Sequence, residues 1–530
     1  MTGVRRPEPS GAELWAYVRA AARGERHGPA GTVAALASLA GVPRLGWVHA
    51  PPWPVVSRLL GVRSGGAPLR GCRRAVFVGT GGWAFGLRAV CEALPGQSTV
   101  WVLDTLDPSA ARRVLVEIGE AGPTAGFAVS ASGRTRETRL LAATLAVAWQ
   151  RGGGAAPVWL SERDGALSLT GARDQVALYG TPLSRPALLA ARMLCWPRFS
   201  DAYREFATAT RAIGEWAGEE SRRFPATGGP RVVFRLPRGS GPGLRLWTLQ
   251  AARQGWGGKS ERFRPWPDVT MAQFPHSDPG SVRDSGSDFS PESAGTSSEQ
   301  SVRNRPAATG EVVVDVAEGI SGLRSAGGPA GAVAAAMAAS YAVASLVACV
   351  AVRHGLRFAT HDAVNRYKRL VPLAPTAADR PGGGRAVGSV DELVGVLAGW
   401  LAERPDLTAV HVVGYGAGLA TAVRAGRLAE QLGRPVEVHE GSTWNHHSYQ
   451  LVWHTPSVGV AVLLAPVHPA VTGDPALDGA LTAQRHTLDA IAAATHASLA
   501  PRSLLLSWCP GGSGGATAGD VGPGGTGDVR

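Results

Sequence analysis

Nine consecutive residues, Ser130-Ala131-Ser132-Gly133-Arg134-Thr135-Arg136-Glu137-Thr138, crowd hydroxyl and basic side chains between a strand-like apolar run and a helix-like run. At such a junction the free N–H groups of the first helical turn and the helix dipole favour an anion. Ser130, Ser132 and Thr135 are placed to donate to phosphate oxygens, and Arg134 adds positive charge. The same residues would also serve an ordinary capped loop. A second group, His439-Glu440-Gly441-Ser442-Thr443-Trp444-Asn445-His446-His447, puts a carboxylate six residues before an imidazole. Glutamate and histidine are side chains that move protons near neutral pH. A satisfied loop glutamate with surface histidines would read the same way, and spacing does not choose between His446 and His447.

The elements that must hold these groups follow an α/β rhythm. Ala75-Val76-Phe77-Val78 reads as a short strand, Gly79-Thr80-Gly81-Gly82 as a tight turn, and 85–94 as a helix. A strand over 99–103, a helix over 109–119, a strand over 126–129 and a helix over 136–150 follow. Units of this kind imply an α/β fold of doubly wound parallel sheets with helices on both faces. The expected organisation is a helical and Pro-rich segment over 1–70, a first α/β domain over 71–185, and a second over 186–372. A polar, Ser- and Gly-rich insertion at 277–310 is expected to be disordered. A linker over 373–389, a third α/β unit over 390–508 and a disordered Gly-rich tail over 509–530 complete the chain. In the third unit, 409–413 reads as a strand and 414–418 as its turn.

Composition narrows the functional classes. A chain of 530 residues with 45% hydrophobic residues can bury several cores. The formal net charge of +12 fits anionic small substrates as well as nucleic acid, and no basic helix with interleaved aromatics is present. Five dispersed cysteines without a CxxC pair fit a reducing compartment, not a disulfide framework or a zinc site. The first 29 residues carry charges throughout, so no signal peptide is expected and the location expected is cytoplasmic. The uncharged run 327–352 is long enough to span a membrane, but its Ala and Gly content favours a buried core helix.

Three motifs, in order, resemble the phosphoglucose isomerase (glucose-6-phosphate isomerase) family of the sugar-isomerase (SIS) superfamily. Ser130 to Thr138 is similar to the family's phosphate loop S-K-S-G-T-T-x-E-T, and Gly79 to Leu87 resembles its G-I-G-G-S-x-L-G-P turn. Asp104-Thr105-Leu106-Asp107-Pro108 looks like its N-x-D-P element. A Rossmann reading of the glycines lacks a clean GxGxxG. Further on, 247–259 resembles W-x-x-Q-L-x-x-E-S-x-G-K, and 360–368 resembles the element whose lysine reaches the active site, which assigns that place to Lys368. The 439–451 segment is similar both to G-E-P-G-T-N-G-Q-H-x-F-Y-Q-L and to the N-H-N-E stretch of bifunctional phosphoglucose/phosphomannose isomerases.

The resemblance implies tandem SIS-type sheets and a glycolytic or gluconeogenic isomerase of a phosphorylated hexose. Glucose 6-phosphate would go to fructose 6-phosphate through a cis-enediol. Glu440 would shuttle the C1/C2 proton, and His446 or His447 would open the ring with help from Lys368. Ser130, Ser132, Arg134 and Thr135, with Gly81 and Gly82, would hold the phosphate. No cofactor and no metal is implied, and the partners implied are a sugar phosphate and a second copy in a homodimer, without nucleic acid or membrane. The sequence departs from the family at Ala131 and Arg134 in the phosphate loop and at Gln254 and Gly255 in place of E-S. It also has Gly180-Thr181-Pro182-Leu183-Ser184-Arg185 where the family has G-G-R-[FY]-S, which leaves Arg185 as a shifted substitute. Loss of a charge-stabilising group commonly costs about 100-fold or more in rate. A catalytically degenerate phosphosugar-binding or regulatory protein is therefore the alternative.

Overall fold

Strand β1 (Arg74–Val78) buries both faces, and its two faces serve different cores. Ala75 and Phe77 join a cluster with the helices of the N-terminal half, while Val76 and Val78 join a cluster shared with the C-terminal third. This period-two alternation with apolar residues on both sides is what a central strand of a parallel sheet requires. The computed structural model describes residues 9–22, 48–50, 52–60, 74–94, 100–119, 124–130, 135–151, 157–160, 184–195, 197–225, 230–257, 268–271, 311–323, 328–356, 363–372, 385–416, 419, 423, 425–466 and 472–509. The 277–310 segment, the tail from 510, Ser132, Arg134 and Lys259 lie outside these residues.

The strands are β2 (Val100–Leu103), β3 (Thr124–Val129), β4 (Val158–Leu160), β5 (Arg231–Arg235), β6 (Asp268–Met271), β7 (Glu311–Asp315), β8 (Arg385–Val387), β9 (Ala409–Tyr415), β10 (Val436–Glu440), β11 (Val458–Leu464) and β12 (Ser503–Trp508). They form three sheets, with orders β2-β1-β3-β4, β6-β5-β7 and β10-β9-β11-β12-β8, and every pairing is parallel. This is the α/β architecture read from the strand–helix rhythm. In the first sheet the chain passes from one side of β1 to the other between β2 and β3, and in the third it does so around β9. In open parallel sheets, ligands bind beyond the carboxyl ends of the strands at such a reversal.

Two local readings shift. Strand β8 falls inside the stretch read as a linker, because a three-residue Arg-Ala-Val run carries no strand signal until it pairs with β12 at the sheet edge. Strand β9 continues through Gly414 and Tyr415, which had been assigned to a turn, because both pair with β11.

The helix Gly328–His354 is long and apolar enough to cross a membrane, and most of it is buried inside the protein. Its Ala-rich surface lets the helices Phe199–Ser221 and Pro242–Trp256 approach closely. Trp247 and Trp256 each donate an indole N–H to its backbone, at Ser340 and Val347, over 3.2 Å. These bonds anchor the helix Pro242–Trp256, whose Gln250, Arg253 and Gln254 reach into the seam between the first and third sheets.

Candidate active site at the seam of two sheets

The carboxyl end of β1 is shaped by glycine. Gly79 has φ of 135° and lies so close to β3 that a Cβ would meet the Val129 carbonyl oxygen at 2.4 Å. Gly81 has φ of 124° and immediately precedes the helix Gly82–Cys91, which therefore starts three residues earlier than its apolar pattern indicates. A Cβ on Gly82 would meet the Gln250 amide at 2.5 Å. At the end of β3, the Ser130 hydroxyl donates to Thr135 Oγ1 over 2.9 Å, across the start of the helix Arg136–Arg151. Ser130 is buried and Thr135 half-buried, and the junction residues 131–134 between them lie outside the described residues.

The short helix Val364–Leu370 ties this end to the third sheet. Arg136 Nη1 donates to the Pro372 carbonyl oxygen just beyond it. Tyr367 is buried with its ring edge-on to Tyr449 at 4.9 Å. Lys368 is exposed and lies near enough to His446 that its charge adds to burial in lowering that histidine to about 3. Two residues assigned by resemblance, Lys368 and His446, are therefore close enough for the charge of one to act on the other.

Glu440 is the last residue of β10, and the helix Gly441–His447 starts at once. Gly441 is required there because a Cβ would press on the Tyr415 ring at 2.4 Å. The Glu440 side chain keeps solvent access, yet the protein around it raises its carboxyl to about 7, chiefly by desolvation and then by the negative charge of Asp107. Asp107 in turn accepts from the Ser109 N–H (3.0 Å) and hydroxyl (2.9 Å) at the start of the helix Pro108–Gly119. Asp107, just beyond the end of β2, is near enough to Glu440 at the end of β10 for its charge to act there. A carboxyl that titrates near neutral pH is suited to take and return a proton.

His446 and His447 are both buried, which corrects any surface reading of them. Gln254 donates to the His446 carbonyl oxygen. His447 Nδ1 lies 2.6 Å from the Ser448 hydroxyl, and its ring packs edge-on to Phe85 and to His439. Burial drives His447 well below the ordinary histidine range, and nearby His439 and Arg253 add to the effect. Arg185, the shifted substitute, is buried at the first turn of the helix Arg185–Leu194, whose apolar residues pack in the core beside the helix Gly82–Cys91.

Sheet register assembles a group that no spacing in the sequence announces. Glu437 and His439 share one face of β10, and His411 pairs with Glu437 across β9. His439 Nε2 lies 2.7 Å from Glu437 Oε2, and Arg253 Nη2 lies 2.6 and 2.8 Å from the two Glu437 oxygens. His411, Glu437 and His439 bring their ligand atoms within 4.8 Å of one another, close enough to hold a metal ion. The bonding opposes that use. Trp444 donates its indole N–H to His411 Nδ1 at 2.9 Å, so the neutral His411 ring carries its proton on Nε2, the nitrogen facing Glu437. Arg253 already balances the carboxylate. The arrangement is a buried Arg–Glu–His charge network in which His411 is pushed down to about 3, mainly by burial. Gln250 and Gln254 were also missed as site residues. Their i, i+4 spacing and hydrogen bond (3.3 Å) place both on the seam side of one helix.

No protein-family model matches the sequence, and no curated protein matches it. Among solved structures, a glucose-6-phosphate isomerase from Chlamydia trachomatis is similar, with a TM-score of 0.43 and 15% identity over 68% of this chain and 82% of that one. A hypothetical protein from Thermus thermophilus is similar with a TM-score of 0.40 and 16% identity, over 67% of this chain and 96% of that one. A Salmonella typhimurium protein named provisionally as a phosphosugar isomerase is similar with a TM-score of 0.32 and 18% identity, over 58% and 93%. At these scores the site stands on its own geometry.

Proposed function

We propose that this chain is an aldose–ketose isomerase of a phosphorylated hexose, by preference converting glucose 6-phosphate to fructose 6-phosphate. The observation that carries the reading is Glu440, a carboxyl held near pH 7 across from the Asp107 loop, in the seam that also contains the Ser130–Thr135 junction. Phosphate binds at the helix N-terminus beside Ser130 and Thr135, with the turn at Gly81 and Gly82 alongside. Glu440 removes the C2 proton and returns it to C1 through the cis-enediol while a hydroxyl proton passes from O2 to O1, so the substrate is neither oxidised nor reduced overall. His446, kept neutral, accepts from the anomeric hydroxyl while Lys368 donates to the ring oxygen. The enzyme acts in the cytoplasm as a homodimer.

A coupled assay tests this, with fructose 6-phosphate as substrate and an NADP-linked dehydrogenase reporting glucose 6-phosphate. Turnover that is lost in Glu440→Gln, with fructose 6-phosphate still bound, supports the proposal. Full activity in that variant overturns it. A second reading, phosphosugar binding without turnover, is favoured by Ala131 in the phosphate loop and by the buried seat of Arg185. Thermal stabilisation by fructose 6-phosphate with no turnover in the wild-type chain would select it.

A further inference from the structure

His447 is 1% exposed, and its Nε2 has no hydrogen-bond partner among the described residues. Which nitrogen carries the proton follows from its neighbours. Arg253 Nη1 lies 2.5 Å from the Ser448 hydroxyl oxygen, and a guanidinium can only donate. Ser448 Oγ also lies 2.6 Å from His447 Nδ1. The Ser448 hydroxyl is buried and contacts no acceptor but His447 Nδ1 among the described residues, so with Arg253 donating into its oxygen the hydroxyl donates to Nδ1. Nδ1 is then a lone pair and Nε2 carries the hydrogen.

We infer that Arg253, acting through Ser448, fixes His447 as an Nε2–H tautomer whose buried donor is reserved for an oxygen of the ligand. The groups around the ring fit a neutral donor. Arg253 and His439 oppose a second positive charge, Glu437 is already bound to Arg253 and His439, and His411 lies beyond them. A buried N–H without a partner costs about 1–3 kcal/mol, which an oxygen acceptor recovers. Thr80 Oγ1 in the glycine turn and Oε1 of Gln250, the residue against Gly82, also lack partners among the described residues. A polyhydroxylated ligand offers acceptors and donors to all three. His447 is thereby a further residue that touches the ligand, and Arg253 and Ser448 are positioning residues. The ligand identity rests on the proposed function; the tautomer does not.

The test is a long-range ¹H–¹⁵N spectrum of the full chain labelled with ¹⁵N-histidine, with His447 assigned by its loss in His447→Gln. The expected signal is a neutral ring protonated at Nε2 in the free protein. In Ser448→Ala the two tautomers mix, which a merely structural serine would not cause. Fructose 6-phosphate should shift the Nε2–H resonance, while inorganic phosphate alone, confined to the Ser130–Thr135 end, should not. His447→Gln, which keeps an N–H near the Nε2 position, should retain fructose 6-phosphate binding that His447→Phe weakens about tenfold, the loss expected for one hydrogen bond. An Nδ1–H ring in the free protein overturns the inference. So does an Nε2–H signal unmoved by bound fructose 6-phosphate. Absence of any fructose 6-phosphate binding counts against the proposed function, and the tautomer spectrum of the free protein still decides this point.

Discussion

The carboxyl ends of the first and third sheets meet at one seam but are built on different principles. At the first sheet the proposed binding groups are hydroxyls of neighbouring residues, Ser130 at the end of β3 and Thr135 at the start of the next helix. At the third sheet the groups are ionisable, buried and coupled, and they come from β9, β10, the helix Gly441–His447 and the distant helix Pro242–Trp256. Holding an anion requires only donors that point outward from a helix start. Moving a proton near neutral pH requires displaced pKa values, and those require burial and charged neighbours from elsewhere in the chain. Under the proposed function the difference predicts a division of labour, with affinity at the first sheet and rate at the third.

The strongest test of that division is Glu440→Gln, which should lower kcat about 10²- to 10⁴-fold, the usual worth of a positioned base. Calorimetry should show unchanged fructose 6-phosphate affinity. Ser130→Ala combined with Thr135→Ala should do the reverse. Each bond to a charged oxygen contributes about 1.5–3 kcal/mol, so Kd should rise about tenfold or more while kcat is largely kept. If both variants lower kcat alone, the two ends do not divide the work.

Acid stability should report the third sheet specifically. His411 and His446 sit at about 3 in the folded chain, below the ordinary value of about 6.5 in the unfolded one. The unfolded chain therefore takes up protons first, and stability present above pH 6.5 is lost as pH falls toward 3. Glu440 has the opposite sign, because its raised carboxyl favours the unfolded chain as pH climbs from the ordinary carboxylate range to about 7. Urea midpoints measured between pH 7 and 4 should fall, and the fall should be shallower in His446→Gln. A slope unchanged by that substitution would remove His446 from the coupled network.

The smallest expected effect links the two ends. The kcat/KM profile should rise with pH to a plateau above about 7, where Glu440 is ionised. Asp107→Asn removes the like charge and should move that limb to lower pH, only modestly because desolvation is the larger cause. A limb that stays in place would mean the β2 and β10 ends are electrically independent.

Much of this molecule is legible along the chain. The alternation of Ala75 to Val78, the glycine turn that follows and the hydroxyl-rich start of the helix Arg136–Arg151 are contiguous signals. They are enough to read the parallel α/β class from the sequence. The uncharged Ala-rich run likewise declared a helix, but its burial against two other helices is a tertiary fact. Strand β8 was lost in an apparent linker because three residues show no periodicity by themselves.

What the sequence by itself determined is therefore local: which runs become strands, where helices start, and which residue types stand at their ends. Only the tertiary structure decided which of those residues share an environment. Register put His411 opposite Glu437. Packing of the helix Pro242–Trp256 brought Arg253 onto Glu437 and Ser448 from more than 180 positions away. The seam placed Lys368 beside His446 and Asp107 near Glu440. The physical reason is that a residue type is a property of one position, whereas a displaced pKa, a fixed tautomer or a balanced buried charge is a property of its neighbours in space.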